Sequence, residues 1–340
     1  MIMKQFSSFL QFSIALVLIL AVLTPGGMAQ AKPDGYEYYL LGNEGDAATR
    51  TSPGFLLMGG NTDVDSAMRW LIEKSGGGDF VVIRASGTDA YNPYVYQELG
   101  GVDSAETIIF QQERAAYDPF VIGQILKAEA LFIAGGNQWD YVRLWKGTPV
   151  EDAIHTLIAR GVPVGGTSAG LAILGEFSFS AERNTIYSYE ALKNPYNPRL
   201  TLERDFLHLP YLQGTITDSH FVERDRMGRL VTFLARILQD GWATQARGIG
   251  IDGKTALTVE GNGIATLHGV GAVYFLRTTT FPEVCRKNEP LTFRDVEVYR
   301  LSGAGSTFNL RNWTGSNVTA YNLSAIEGVL YSTQPDGSIY

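Results

Sequence analysis

Short unbroken apolar runs recur through the first half of the chain, and amphipathic stretches separate them. Phe55-Leu56-Leu57-Met58 ends in Gly59-Gly60, and Phe80-Val81-Val82-Ile83 and Ala130-Leu131-Phe132-Ile133-Ala134 follow the same style. An apolar run bounded by turn residues predicts a strand buried on both faces, as in a parallel sheet covered by helices. Between the first two runs, Val64, Ala67, Met68, Leu71 and Ile72 fall at i, i+3, i+4, i+7 and i+8, which predicts a helix with one buried stripe. Pro149 to Arg160 predicts another, with proline in its first turn. Alternation of this kind over roughly residues 55–175 predicts an α/β fold with a doubly wound, mostly parallel sheet, whose ligands bind at the carboxyl ends of the strands.

From about residue 250 the pattern changes. Thr255 to Val259, Ala272 to Leu276 and Val296 to Leu301 read as short strands, and the last forty residues are rich in Asn, Ser, Thr and Gly. A β-rich C-terminal extension over residues 286–340 is expected, after an α/β domain over 32–285.

The N-terminus stands apart. Lys4 precedes the apolar run Phe9 to Leu23, and Ala29-Gln30-Ala31 offers a small-residue cleavage site, so residues 1–31 read as a secretory signal peptide. The competing reading is a membrane anchor, for which the run is short. A secreted or periplasmic mature protein with no membrane attachment is expected. Its single cysteine, Cys285, leaves no internal disulfide, and no cysteine stands near Ala31 to accept a lipid.

At 340 residues, with 45% hydrophobic and 18% charged, the chain can bury one large α/β core or two modest ones. A formal net charge of −8 disfavours nucleic acid and anionic membrane surfaces as partners. No His-Glu-x-x-His helix, paired-cysteine spacing or Walker lysine is present, and no metal or other cofactor is expected.

The chemistry concentrates in Gly165-Gly166-Thr167-Ser168-Ala169-Gly170, which follows the apolar run Val162-Pro163-Val164 and leads into small and apolar residues. A serine on a sharp strand-to-helix turn is the setting of a nucleophile elbow, with its hydroxyl exposed at a helix N-terminus. In a chain with 38 glycines such a string also arises by chance, and the strand before it and helix after it are what favour chemistry.

A serine nucleophile needs a base, and the chain offers His155, His208, His220 and His268. His155 lies within an amphipathic helix, His208 in a core or turn segment, and His268 after a late β-like run. His220 sits in a polar cluster from Asp218 to Leu230 and is read as opening the helix that follows. Glu223 and Asp225 there read as a solvated charged face. Arg224, Arg226 and Arg229 cannot share one helix face, so they are expected to divide between a site and structural ion pairs, and suggest a substrate with carboxylates or carbonyls.

Together these motifs resemble the cyanophycinases, serine exopeptidases related to dipeptidase E. The match is carried by Gly135-Gly136-Asn137-Gln138, by Gly166-Thr167-Ser168-Ala169-Gly170, and by Asp218-x-His220-Phe221-x-x-Arg224-x-Arg226-x-x-Arg229-Leu230, with Gly248-Ile249-Gly250-Ile251-Asp252 as a later strand. The resemblance implies a flavodoxin-like α/β sandwich, a homodimer, and cleavage of cyanophycin, a polyaspartate bearing arginine on each side chain, to β-aspartyl-arginine. It implies Ser168 as nucleophile, His220 as base, and the Gly136 and Ala169 N–H groups as the oxyanion hole. Gln138, Asp218, Ser219, Arg224, Arg226 and Arg229 fall at the substrate-holding positions.

Two positions depart from the pattern. Ser219 replaces a glutamine, and Gly253 stands where the family has the glutamate that completes its triad. Asp252 is the nearest substitute, although a one-residue shift on a strand turns a side chain to the opposite face. Asp205, Glu203 and Glu182 are the other candidates. Two further functions compete: an α/β-hydrolase esterase, which would need His268 and lacks an HGGG-type motif, and a binding protein that keeps the scaffold without turnover. Sequons at Asn312, Asn317 and Asn322 matter only in a host that glycosylates secreted proteins.

Overall fold

The computed structural model describes residues 35–340; the segment read as a signal peptide lies outside them. Two sheets share one core. The strands of the first are β1 (Tyr36–Gly42), β2 (Gly54–Met58), β3 (Asp79–Arg84), β4 (Ser104–Phe110), β5 (Ala130–Ile133) and β6 (Val164–Thr167), in the order β1-β4-β3-β5-β6-β2. The five strands from β4 to β2 are mutually parallel. Their alternate residues feed two cores: Leu57, Val81, Ile83, Leu131 and Ile133 face one side, while Leu56, Phe80, Val82 and Phe132 face the stripe Ala67, Met68 and Leu71 of the helix Asp65–Lys74. Burial on both faces is what the unbroken apolar runs required.

The second sheet begins with β7 (Phe177–Phe179), β8 (Leu202–Arg204), β9 (Thr215–Asp218) and β10 (Arg247–Ile251). β7, β9 and β10 are parallel, and the helix Met227–Gln239 covers their outer face through Leu230, Val231, Phe233 and Leu234. Two antiparallel strands return to the first sheet, β11 (Thr255–Glu260) against β2 and β12 (Ile264–Gly269) against β11. β13 (Ala272–Arg277) then pairs with β10. The sheet is thus parallel only in its centre, with antiparallel strands on both sides.

The expected C-terminal extension is β-rich and joins both sheets. β14 (Phe293–Ser302) pairs with β13, and β15 (Thr307–Asn309) with β12, followed by β16 (Thr314–Gly315). β17 (Thr319–Ile326) and β18 (Val329–Ser332) continue the second sheet beyond β14. Residues 286–340 are therefore built into the same cores: Phe308 stacks on Phe275 at 3.8 Å between ring centroids, with Trp313 edge-on to both.

Candidate active site

The site lies where the carboxyl ends of β2, β5 and β6 meet those of β9 and β10. Parallel register fixes the neighbours: Met58 pairs with Thr167 and Ile133 with Gly166, so Gly59-Gly60 and Gly135-Gly136 flank Ser168. In the second sheet Gly250 pairs with Asp218, so the residues following β9 and β10 emerge side by side. The backbone N–H of His220 donates to Gly59 O at 2.9 Å, tying one sheet's loop to the other's.

Ser168 sits at φ 53°, ψ −110°, between β6 and the short helix Ala169–Ala172. A non-glycine residue at such angles costs about 1–3 kcal/mol and persists only where its surroundings over-determine it. Here the Ser168 N–H donates to Met58 O at 3.0 Å, and its own carbonyl accepts from Ala172 N–H at 3.0 Å. The turn is also too tight for side chains on either flank. A Cβ on Gly166 would lie 2.7 Å from the Gly170 carbonyl, and one on Gly170 would strike the Ile133 carbonyl. These two glycines are the elbow's steric requirement.

Ser168 Oγ lies 2.8 Å from His220 Nε2. On the other side of the ring, Nδ1 faces Glu223 Oε1 at 3.2 Å. A carboxylate at Nδ1 places the imidazole proton there and leaves Nε2 as the acceptor for the serine hydroxyl. Glu223 is itself held: its Oε1 accepts from Asn61 Nδ2 at 2.9 Å and its Oε2 from the Gly253 N–H at 3.1 Å. A Cβ at position 253 would run into Glu223 Oε1 and Asn61 Nδ2. The carboxylate from residue 223 therefore occupies the space that a side chain at 253 would need.

This corrects the expectation for Asp252. Its Oδ1 accepts from the Val222 N–H at 3.1 Å and its Oδ2 from the Ala272 N–H at 2.8 Å, so it anchors the loop beside Glu223 without touching His220. Burial pushes the Asp252 carboxyl above the usual carboxylate range. Of the other candidates, Glu203 pairs with Lys146, Asp205 with Arg204, and Glu182 lines a neighbouring cavity. Glu223 was hidden by the reading of residues 220–230 as one helix. The helix begins at Met227, and His220 lies before it at φ 47° in a tight turn that brings Glu223 back under its ring. The spacing His-x-x-Glu beside an empty position 253 was the available signal.

His220 is buried, and its pKa is lowered first by burial and then by the positive charges of Arg224 and Arg226, against an opposing pull from Glu223. Burial and the two arginines thus favour the neutral ring, the state in which it can accept a proton. His268 bonds Ser66 and Thr258, and His155 and His208 stack on each other, so none of the three approaches Ser168.

A cavity of about 730 Å³ opens from Gly136 past Gln138 and Glu182 to Arg224, Arg226 and Arg229. The arginines divide as expected but for another reason, since Arg224 and Arg226 lie in the turn before the helix and only Arg229 is on it. Arg229 is buried and grips Asp218 with Nε at 2.7 Å and with Nη2, and Arg226 reaches the same carboxylate at 3.2 Å and the Ser219 carbonyl at 2.7 Å. Burial lowers the Arg226 pKa to about 10. Arg224 is exposed and makes no ion pair among the described residues, so its charge is open to the cavity. Asp218 and Ser219, expected at the substrate, sit behind these arginines and do not line the cavity; they orient Arg226 and Arg229. Gln138 does line it, donating to Phe179 O at 3.2 Å. Ala169 opens the helix after the elbow, where backbone N–H groups have no partner within the helix, and Gly136 follows Gly135 beside Ser168 and lines the cavity.

The loop that carries these groups is tied down from afar. Tyr340 Oη donates to Asp225 Oδ1 at 2.8 Å and accepts from the Met227 N–H at 3.0 Å. Its ring meets Phe221 and Tyr274 edge-on.

The profile of peptidase family S51 matches residues 84–267, more than half of the chain. Cyanophycinases of Trichormus variabilis and of a Nostoc species are each 27% identical over 222 residues, covering 64% of this chain and 68% of theirs. A crystal structure of a peptidase from an acI-B1 actinobacterium superposes with a TM-score of 0.51 at 16% identity, covering 76% of this chain and 98% of that one. It shares the fold.

Proposed function

The chain belongs to peptidase family S51 and is a serine-type peptidase; from that premise we propose that it hydrolyses cyanophycin or another β-linked aspartyl peptide through a Ser168–His220–Glu223 triad. The observation that carries this reading is the unbroken line Ser168 Oγ, His220 Nε2, His220 Nδ1, Glu223 Oε1, with links of 2.8 and 3.2 Å. His220 Nε2 takes the Ser168 proton as Oγ bonds to the scissile carbonyl carbon. Glu223 fixes the tautomer and stabilises the imidazolium that forms. The N–H groups of Gly136 and Ala169 receive the developing oxyanion, each such donor contributing about 3 kcal/mol in the transition state. As the C–N bond breaks, the proton passes from Nε2 to the leaving nitrogen; water then attacks the acyl-enzyme with His220 again as base.

Arg224 and Gln138 support an acyl portion that carries a carboxylate or carbonyl in the large cavity. The cyanophycinases among the chain's relatives support the substrate class. Export is supported by the apolar run Phe9 to Leu23 followed by Ala29-Gln30-Ala31. The test is incubation of the protein from Lys32 onward with purified cyanophycin, with soluble products identified by mass spectrometry. Release of β-aspartyl-arginine by the wild type and not by Ser168→Ala is expected. No release, or equal release by both, overturns the reading.

A further inference from the structure

The acid of the triad is held less by burial than the base it orients. The His220 side chain is 6% exposed and that of Glu223 33%. The direction of the Glu223 carboxylate therefore rests on what its two oxygens accept. Oε2 takes the Gly253 N–H at 3.1 Å, and Oε1 is shared by His220 Nδ1 at 3.2 Å and Asn61 Nδ2 at 2.9 Å. Asn61 reaches Glu223 from the nucleophile's side. It follows β2, whose Met58 O accepts from the Ser168 N–H, and a Cβ on the preceding Gly60 would stand 2.6 Å from His220 Nε2 and 3.0 Å from Ser168 Cβ. The Gly59 and Gly60 carbonyls accept from the His220 and Lys254 N–H groups at 2.9 and 2.8 Å, so this loop is pinned both to the base and to the turn that carries Gly253.

Asn61 stands at φ 70°, a left-handed conformation that asparagine tolerates better than most residues. Its amide meets the carboxylate with the N–H group, the one end of that side chain that can donate. Resting on the triad proposed above, we propose that Asn61 is a positioning residue for the reaction, whose amide keeps Glu223 Oε1 against His220 Nδ1 and ties the acid to the loop packed on the nucleophile. The carboxylate cannot turn Oε1 away from the ring without giving up a charge-assisted bond. The same amide helps to close position 253, since a Cβ there would meet Asn61 Nδ2 as well as Glu223 Oε1. Asn61, Glu223 and Gly253 thus act as one unit, in which the asparagine fits the site to an acid supplied by residue 223.

The test is the rate at which a fluorophosphonate labels Ser168 at mildly alkaline pH, a readout that does not depend on which peptide the enzyme cleaves. Two variants keep the left-handed backbone: Asn61→Gly removes the amide, and Asn61→Asp keeps its size but sets a second carboxylate against Glu223. Asn61→Gly should slow labelling by about tenfold, the scale of a lost hydrogen bond to a charged group, and Asn61→Asp by at least as much. The added negative charge of Asn61→Asp should also raise the His220 pKa and move the acid limb of labelling to higher pH. In a Glu223→Ala background both substitutions should change the rate by less than about twofold, because the group they act through is gone. Wild-type labelling by Asn61→Asp, or an equal loss with and without Glu223, overturns the assignment and leaves the triad standing. Glu223→Ala labelling as fast as wild type contradicts the triad itself, and the role of Asn61 falls with it.

Discussion

The two loops that bring Ser168 and His220 together are stabilised in opposite ways. The elbow is mainly local: β6 enters it, a short helix leaves it, and Gly166 and Gly170 give it room against its own backbone and the end of β5, with one distant tie from the Ser168 N–H to Met58 O. The loop from Ser219 to Arg226 is held from a distance, by Gly59 and Ile251 through backbone bonds, by Asp252 at Val222, and by Tyr340 at Asp225 and Met227. A locally determined turn either forms or does not. A loop with several distant anchors loosens by degrees, and its chemistry should decline by degrees as anchors are removed.

The largest effect should come from the elbow. Gly170→Ala drives a Cβ into the Ile133 carbonyl, and the overpacking should cost about 3 kcal/mol together with nearly all labelling of Ser168 by a fluorophosphonate. Thermal unfolding and labelling rate measure the two losses. Retention of fast labelling would mean that the elbow is as adaptable as the loop and would erase the contrast.

Next in size is the relocated acid. If Glu223 fills the space of a missing side chain at 253, then Glu223→Ala should recover at least about tenfold in kcat when Gly253→Glu is added, because the vacated volume accepts the new carboxylate. A double variant no faster than the single one would show that position 253 no longer faces the ring.

A smaller change is expected at Arg224, whose charge helps hold the His220 pKa down. The active form carries neutral His220, so activity is present above its pKa and lost as pH falls through it. Arg224→Gln removes one cause of the lowering; the acid limb of kcat/KM should move to higher pH, with KM rising for carboxylate-bearing substrates. An unmoved limb would place Arg224 too far from the ring to matter. The smallest effect belongs to the most remote anchor. Tyr340→Phe loses two hydrogen bonds of about 1 kcal/mol each, and kcat should fall by about two- to fivefold with KM unchanged.

Legibility in the sequence follows the same divide. Strands of the parallel core, the helix stripe at Val64 to Ile72 and the elbow itself depend on contiguous residues, and apolar periodicity and glycine placement expose them. Ser168 and His220 are legible because each sits in a dense motif; the arginines do split, but only Arg229 lies on the helix, so one helix face is not the reason. What escaped was long-range. One antiparallel flank of the first sheet comes from strands about two hundred residues downstream of β2 and the other from β1 ahead of it, and no periodicity records which strand pairs with which. Glu223 escaped because a charged residue in an apparent helix reads as solvated, and only the left-handed turn at His220 folds it back. Asp252 was near the ring in sequence terms, and the alternation of side chains along a strand sent it to backbone N–H groups instead.

The most direct measurement compares Glu223→Gln with Asp252→Asn in steady-state hydrolysis of a β-aspartyl-arginine substrate. If Glu223 orients His220, Glu223→Gln should lower kcat by about three to four orders of magnitude, as loss of the orienting carboxylate does in a well-studied triad, while Asp252→Asn, which only loosens the loop, should stay within about tenfold of wild type. A Glu223→Gln protein with near wild-type kcat, or an Asp252→Asn protein that loses more, would contradict the triad assigned to this site.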